Sequence, residues 1–251
     1  MKQIILMLII GLLGFSMIGC HGCKEPVVDP CEGVEEVTAD FKMEFSLYGP
    51  IEGQWFSREY RWFESDTFLP GHIRFTAEGV YDSVKWKVGL DPRVFTAKQF
   101  SLDFYDFSGS FDMRMIGYRK PNNGCFPDDD GIDTIFKPLV VVPYSESKVF
   151  GHYDGCFLSE PDSSFQLFID YNSSFRMHIN EFPKGYLRDP GEYGFTIGYR
   201  HFAARYSGSN GQQGPKPGGW GEIVEDTIKF DFHHYLPNGG EVTDTYIGVK
   251  F

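Results

Sequence analysis

Positive charge is scarce in this 251-residue chain, which carries 23 Lys and Arg against 35 Asp and Glu, for a net charge of −12. Nucleic-acid binding needs Lys and Arg clustered on one face, and no stretch of the sequence supplies such a cluster. Catalytic signatures are missing too, since there is no His-Glu-x-x-His, no Gly-x-Ser-x-Gly and no glycine-rich phosphate or dinucleotide loop. The sequence therefore predicts no nucleic-acid partner, no enzyme of a motif-bearing class and no cofactor.

Long apolar runs are missing as well, apart from one at the N-terminus. Lys2 provides a positive end, and the almost wholly apolar run from Ile4 to Ile18 follows it. This run is shorter than the roughly 18 to 20 residues that a membrane-spanning helix requires. A positive end followed by a short apolar run is the layout of a secretory signal peptide, which we assign to residues 1–19.

The apolar run ends at a cysteine. The segment Met17-Ile18-Gly19-Cys20 resembles the lipobox of bacterial lipoproteins. That resemblance implies diacylglycerol on the Cys20 thiol, cleavage before it, and a membrane partner held by acyl chains without a spanning helix. The alternative is ordinary secretion with Cys20 left as a thiol.

Residues 20–36 follow as a tether rich in proline and charge. Lys24-Glu25 resembles the short charged export signal of surface lipoproteins of the Bacteroidetes, although a plain solvated tether is the favoured interpretation. We expect a lipid-anchored protein at the outer membrane or cell surface.

Cysteine is sparse but informative. With Cys20 assigned to lipid, four cysteines remain: Cys23, Cys31, Cys125 and Cys156. Outside the cytoplasm an even number permits disulfides, with three possible connectivities. Proximity in sequence favours Cys23 with Cys31 and Cys125 with Cys156, and buried free thiols are the alternative.

The body of the chain has the pattern of an all-β protein. Segments such as Asp40–Phe45 and Thr227–Phe232 alternate apolar with polar residues, which is typical of antiparallel strands with one buried face. Turn residues interrupt these segments at close intervals, and no convincing long helix is present. We predict two consecutive antiparallel β-sandwich domains, residues 37–144 and 145–251, separated near the polar segment after Pro143.

The first predicted sandwich resembles a PKD-type (polycystic kidney disease) immunoglobulin-like domain. The matching segments are an opening Ala-x-Phe strand, a strand with a tryptophan and a following glycine, a strand after a Gly-x-aromatic turn, and a closing strand. They are Val37–Phe41, Val80–Gly89, Ser108–Ile116 and Leu139–Val142. The resemblance covers somewhat under half of the chain and implies a sandwich of surface lipoproteins. No family suggests itself for residues 145–251.

Three groups of residues are candidates for function. Trp220 lies in the glycine- and proline-rich stretch Ser207–Gly221, which predicts a long loop with an exposed ring for ligand contact. Tyr60 and Trp62 share one face of a strand, and we expect that face in the core. A tight acidic turn offers oxygen ligands for calcium, although a solvated turn is favoured and no metal is predicted. Its carboxylates are Asp128, Asp130 and Asp133.

These features favour a non-enzymatic surface lipoprotein that acts as a spacer or as a binding module for a protein or a glycan. The alternative is an extracytoplasmic polysaccharide hydrolase, because such enzymes need only two carboxylates brought together by the fold. A third possibility is a structural subunit that pairs through an exposed strand edge.

Overall fold

The computed structural model describes residues 31–34, 36, 38–51, 54–89, 91–170, 176–179, 192–206, 218–235 and 241–251. Strands dominate these residues and none of them lies in an α-helix, so the predicted all-β class is confirmed. Within the same residues, no helix has the length and apolar character needed to span a membrane. The chain divides into two compact units, residues 1–36 with 122–130 and residues 37–121 with 131–251.

The larger unit begins with eight strands in two four-stranded sheets. The strands are β1 (Asp40–Ile51), β2 (Gln54–Glu64), β3 (Thr67–Phe68), β4 (His72–Glu78), β5 (Ser83–Val88), β6 (Gln99–Asp103), β7 (Gly109–Tyr118) and β8 (Ile132–Val141). The first sheet has the order β2-β1-β4-β6 and the second the order β3-β8-β7-β5. All pairs are antiparallel except β3 with β8.

The two sheets pack face to face through alternate residues of their strands. In β1, Phe41, Met43 and Phe45 are buried while the residues between them face outward. Phe41 meets Trp86 of the second sheet edge to face, with 5.2 Å between ring centroids. Trp86 also donates its indole N–H to the Ala97 carbonyl at 2.9 Å, which satisfies its one polar atom.

The segments of the PKD resemblance coincide with strands. They lie in or overlap β1, β5, β7 and β8 of this sandwich. Membership of that family stays a prediction.

The remaining eight strands form one closed barrel. They are β9 (Gly151–Phe157), β10 (Ser164–Asp170), β11 (Arg176–Ile179), β12 (Glu192–Ile197), β13 (His201–Tyr206), β14 (Gly218–Val224), β15 (Thr227–Tyr235) and β16 (Glu241–Lys250). Each strand pairs antiparallel with the next, and β16 pairs with β9 to close the sheet. This region therefore differs from the expected second sandwich, because its alternating strands bury their apolar face inside one closed sheet.

Aromatic side chains fill the described part of the barrel interior. Tyr153, Phe202, Phe230 and Tyr246 are almost completely buried there. An eight-stranded barrel is just narrow enough for side chains to fill it. The Tyr246 hydroxyl lies within hydrogen-bond distance of two backbone carbonyl oxygens, that of Tyr153 at 3.1 Å and that of Phe165 at 3.2 Å. The part of the barrel that the structure describes thus has a packed core.

The end of β1 packs against the outer wall of the barrel. Trp220 and Ala203 join the hydrophobic core of the sandwich. The Thr196 hydroxyl donates to the Tyr48 carbonyl at 3.0 Å, which adds a polar contact. The β1–β2 hairpin thus has one side held by the barrel, while the opposite side is left outward.

The smaller unit is described at residues 31–34, 36 and 122–130. A disulfide joins Cys31 to Cys125, with 5.4 Å between the Cα atoms. The predicted pairings Cys23–Cys31 and Cys125–Cys156 are therefore wrong, and Cys156 is a free cysteine in β9. Bridging needs Cα atoms within about 4.4 to 6.8 Å, a condition that the fold decides and nearness in sequence does not.

Candidate functional site

The outward face of the first sheet exposes aromatic rings. In β1 and β2 the register pairs Tyr48 with Tyr60 and Ser46 with Trp62, so these side chains share one face. Tyr60 is 66% exposed and Trp62 is 39% exposed. The prediction that Tyr60 and Trp62 lie in the core is wrong, because the opposite side of the hairpin, with Phe63, is the one that packs inward.

Neighbouring side chains hold these rings in place. The centroids of Tyr48 and Tyr60 lie 4.8 Å apart. The Arg74 guanidinium carbon lies 3.5 Å from the Trp62 ring centroid, within the range of a cation–π contact. Arg74 in turn donates to Glu44 from Nε at 3.0 Å and forms an ion pair through Nη2 at 2.9 Å. We call Tyr48, Tyr60, Trp62, Arg74 and Glu44 the aromatic face.

A cleft of about 910 Å³ lies at β6 and the segment that follows β5. Its apolar wall includes Phe104, Phe107 and Phe111, with Phe107 edge to face against both of the others at 6.3 and 6.5 Å. Asp91, Arg93 and Asp103 add charged groups to the lining. Cavities of this size suit small organic ligands.

The carboxylates of the cleft are already paired. Arg93 binds Asp91 at 2.6 Å from Nη2 to Oδ2 and 3.0 Å from Nε to Oδ1. This ion pair lowers the pKa of Asp91 to about 2. Asp103 pairs with His72 of the neighbouring strand. A glycosidase needs one carboxyl with a raised pKa as its general acid, so Asp91 does not suit that role.

Trp220 lies elsewhere than expected. It belongs to β14, is only 9% exposed, and donates its indole N–H to the Pro50 carbonyl at 2.8 Å. The Arg61 guanidinium covers its ring at 4.5 Å from the centroid. The prediction of an exposed ligand-contact ring is therefore wrong, because the β1–β2 hairpin packs over it. The predicted loop is a strand from Gly218 onward, and residues 207–217 lie outside the described residues.

The acidic turn gathers no metal site. No group of three His, Cys, Asp or Glu side chains that could hold an ion occurs in the part of the chain that the structure describes. Asp133 accepts the backbone N–H groups of Ala39 at 2.5 Å and Thr134 at 2.7 Å. The calcium alternative at Asp128, Asp130 and Asp133 therefore finds no support.

Cys20 and Cys23 lie outside the described residues, so lipidation of Cys20 stays a prediction.

The aromatic face and the cleft were both missed at the level of sequence. The signal for the aromatic face was present in β2, where Tyr60, Trp62 and Glu64 alternate with Arg61 and Phe63, but it does not say which side is buried.

Comparison with known proteins finds no family model that matches the chain, and neither a curated protein nor a solved structure matches it.

Proposed function

We propose that this chain is a lipid-anchored extracytoplasmic lipoprotein that acts as a non-enzymatic glycan-binding module. The observation that carries glycan binding is the exposure of Tyr60 and Trp62, beside Tyr48, on the outward face of the first sheet. Aromatic rings with one open side offer the apolar surface on which the C–H face of a sugar ring stacks.

Polar groups beside the rings complete the chemistry of a sugar site. Arg74 and Glu44 lie in hydrogen-bonding contact with each other next to Trp62, and together they offer donors and acceptors to sugar hydroxyls. Because their own ion pair fixes them, little side-chain entropy remains to be lost on binding. The aromatic face therefore combines stacking surface with held polar groups.

The anchor and compartment have separate support. The N-terminal run that ends in Gly19-Cys20 favours lipidation. The Cys31–Cys125 disulfide favours an oxidising environment outside the cytoplasm. Neither feature depends on what the aromatic face binds.

Glycan binding is tested with a glycan array, followed by affinity electrophoresis in the polysaccharides that score. The Tyr60→Ala/Trp62→Ala variant should bind at least about 10-fold more weakly, since each stacked ring contributes on the order of 1 kcal/mol. The matched control is Leu158→Ala/Phe251→Ala, which removes two exposed apolar side chains of the barrel region and should bind like the unaltered chain.

Three outcomes would overturn glycan binding. They are an array on folded protein with no positive glycan, equal weakening in both double variants, and a pull-down in which a protein partner, rather than a glycan, is lost with Tyr60 and Trp62. The third outcome would reassign the aromatic face to protein recognition, for which Trp, Tyr and Arg are equally suited.

The anchor is tested by labelling cells with radioactive palmitate. The unaltered chain should become labelled and fractionate with membranes, whereas Cys20→Ala should lose the label. Cys156→Ala is the matched control, because it removes a thiol that the disulfide does not use. Label that persists in Cys20→Ala would place the lipid on another residue.

A further inference from the structure

The outward face of the second sheet gathers basic side chains from two strands. In β5, Val84, Trp86 and Val88 are buried, so Lys85 and Lys87 face outward. In β7, Arg114 faces outward as well, and the register places it directly opposite Lys87. Sequence reasoning found no basic cluster because these residues come together only across paired strands.

Within the described ranges, no ion pair neutralises this positive charge, although the exposed Asp112 lies on the same face, two residues before Arg114. Among the residues that the structure describes, neither Lys87 nor Arg114 forms an ion pair, although the chain carries a net charge of −12. Lys85 extends over the ring of Tyr118 at 5.3 Å from the centroid. Like charges directly opposite each other destabilise a sheet, so Lys87 and Arg114 are not explained by stability.

Exposed apolar side chains lie on the same face. Phe136 of β8 pairs in register with Arg114 and is 64% exposed. Ile132 pairs with Tyr118 and is 48% exposed. We call Lys85, Lys87, Arg114, Ile132 and Phe136 the basic face.

We propose that the basic face docks on an anionic lipid bilayer. Lys85, Lys87 and Arg114 would contact lipid phosphates, and Phe136 and Ile132 would enter the boundary between headgroups and acyl chains. A dissolved polyanion would satisfy the cations but would leave both apolar side chains in water, which is why the bilayer is favoured.

Docking through the basic face would also fix which side of the sandwich faces the bilayer. The two sheets pack face to face, as the Phe41–Trp86 contact shows, so their outward faces point in opposite directions. With the basic face on the bilayer, the aromatic face would point away from it. Docking itself requires neither glycan binding nor an acyl chain on Cys20.

Lysine footprinting on the full-length chain tests the proposal. The chain is attached through its own N-terminus to vesicles of one of two compositions: phosphatidylcholine alone, or phosphatidylcholine and phosphatidylglycerol at about 3:1. It is then treated with an acetylating reagent, and the acetylated lysines are identified by mass spectrometry. Each basic residue near an anionic surface shifts the docking equilibrium about 5-fold. Acetylation of Lys85 and Lys87 should therefore be at least about 5-fold slower on the anionic vesicles.

The same molecule supplies the controls. Lys98, Lys148 and Lys229 are exposed at other places and should react equally on both vesicles. About 1 M NaCl should restore reaction at Lys85 and Lys87, because it shortens the screening length to about 3 Å. Phe136→Asp, a change at an exposed position, should weaken the protection while circular dichroism stays unchanged.

Two results would overturn the proposal. One is equal acetylation of Lys85 and Lys87 on both vesicles, or equal slowing of all five lysines. The other is protection by dextran sulfate in solution without protection by the anionic vesicles, which would assign the basic face to a polyanion. Either result would leave the glycan array untouched, so the two proposals fail separately.

Discussion

Gly49 lies where the β1–β2 hairpin meets the barrel wall. A Cβ at this position would lie 2.6 Å from Cζ2 of Trp220 and 2.7 Å from Cβ of Ala203. Trp220 cannot move away freely, because its indole N–H is bonded to the Pro50 carbonyl at 2.8 Å. We therefore expect Gly49→Ala to push the hairpin off the barrel or to displace the Trp220 ring.

The cost of Gly49→Ala follows from two opposing effects. Overpacking a tight core costs about 1 to 3 kcal/mol. Alanine has less conformational freedom than glycine in the unfolded chain, and this stabilises the folded state by about 0.4 to 1 kcal/mol. The middle of each range gives a net fall in the free energy of unfolding of about 1.3 kcal/mol, which for a chain of this size lowers Tm by about 3 to 5 °C.

Urea unfolding followed by tryptophan fluorescence and by circular dichroism measures this loss. Gly71→Ala is the control, because its Cβ would meet only the Leu69 carbonyl oxygen at 4.0 Å, and it should be neutral. Adding Trp220→Phe should relieve part of the strain, giving a favourable coupling energy of about 0.5 kcal/mol or more. Unchanged stability in Gly49→Ala, or additive effects of the two changes, would refute the packing argument.

Two further predictions concern the disulfide and a buried imidazole. Non-reducing peptide mapping should recover a peptide in which Cys31 is joined to Cys125, and a peptide joining Cys125 to Cys156 would contradict this pairing. Cys125→Ser should lower the free energy of unfolding by about 4 kcal/mol, because the bridge closes a loop of 94 residues. Burial lowers the pKa of His201 below its ordinary 6.5, so the folded chain binds this proton less readily than the unfolded chain. Stability should fall as pH drops below about 6.5, and His201→Phe should flatten that slope in urea titrations between pH 5 and 8; an unchanged slope would contradict it.

Local alternation was enough to predict the strands and their buried sides in several places. Phe41, Met43 and Phe45 alternate with polar residues in the sequence, and all three are buried in β1. Phe230 and Phe232 behave likewise in β15. These predictions succeeded because a strand with one polar and one apolar face has only one favourable way to pack.

The aromatic face could not be predicted in this way. Both sides of β2 carry aromatic residues, with Phe63 on one side and Tyr60 and Trp62 on the other. Hydrophobicity alone does not say which side meets the core. Contact of the Phe63 side with His201 and Trp220 of the barrel wall decides it.

Alternating strands can be predicted from this sequence alone, because side-chain direction in a strand repeats every two residues and needs no distant partner. The sequence also contains the N-terminal pattern on which the anchor proposal depends. Four other features are visible only in the three-dimensional fold: eight strands close into a barrel, Cys31 meets Cys125, Trp220 is covered, and Lys87 lies opposite Arg114. The physical reason is common to all four: each depends on which distant segments lie side by side, and residue periodicity within a segment does not contain that information.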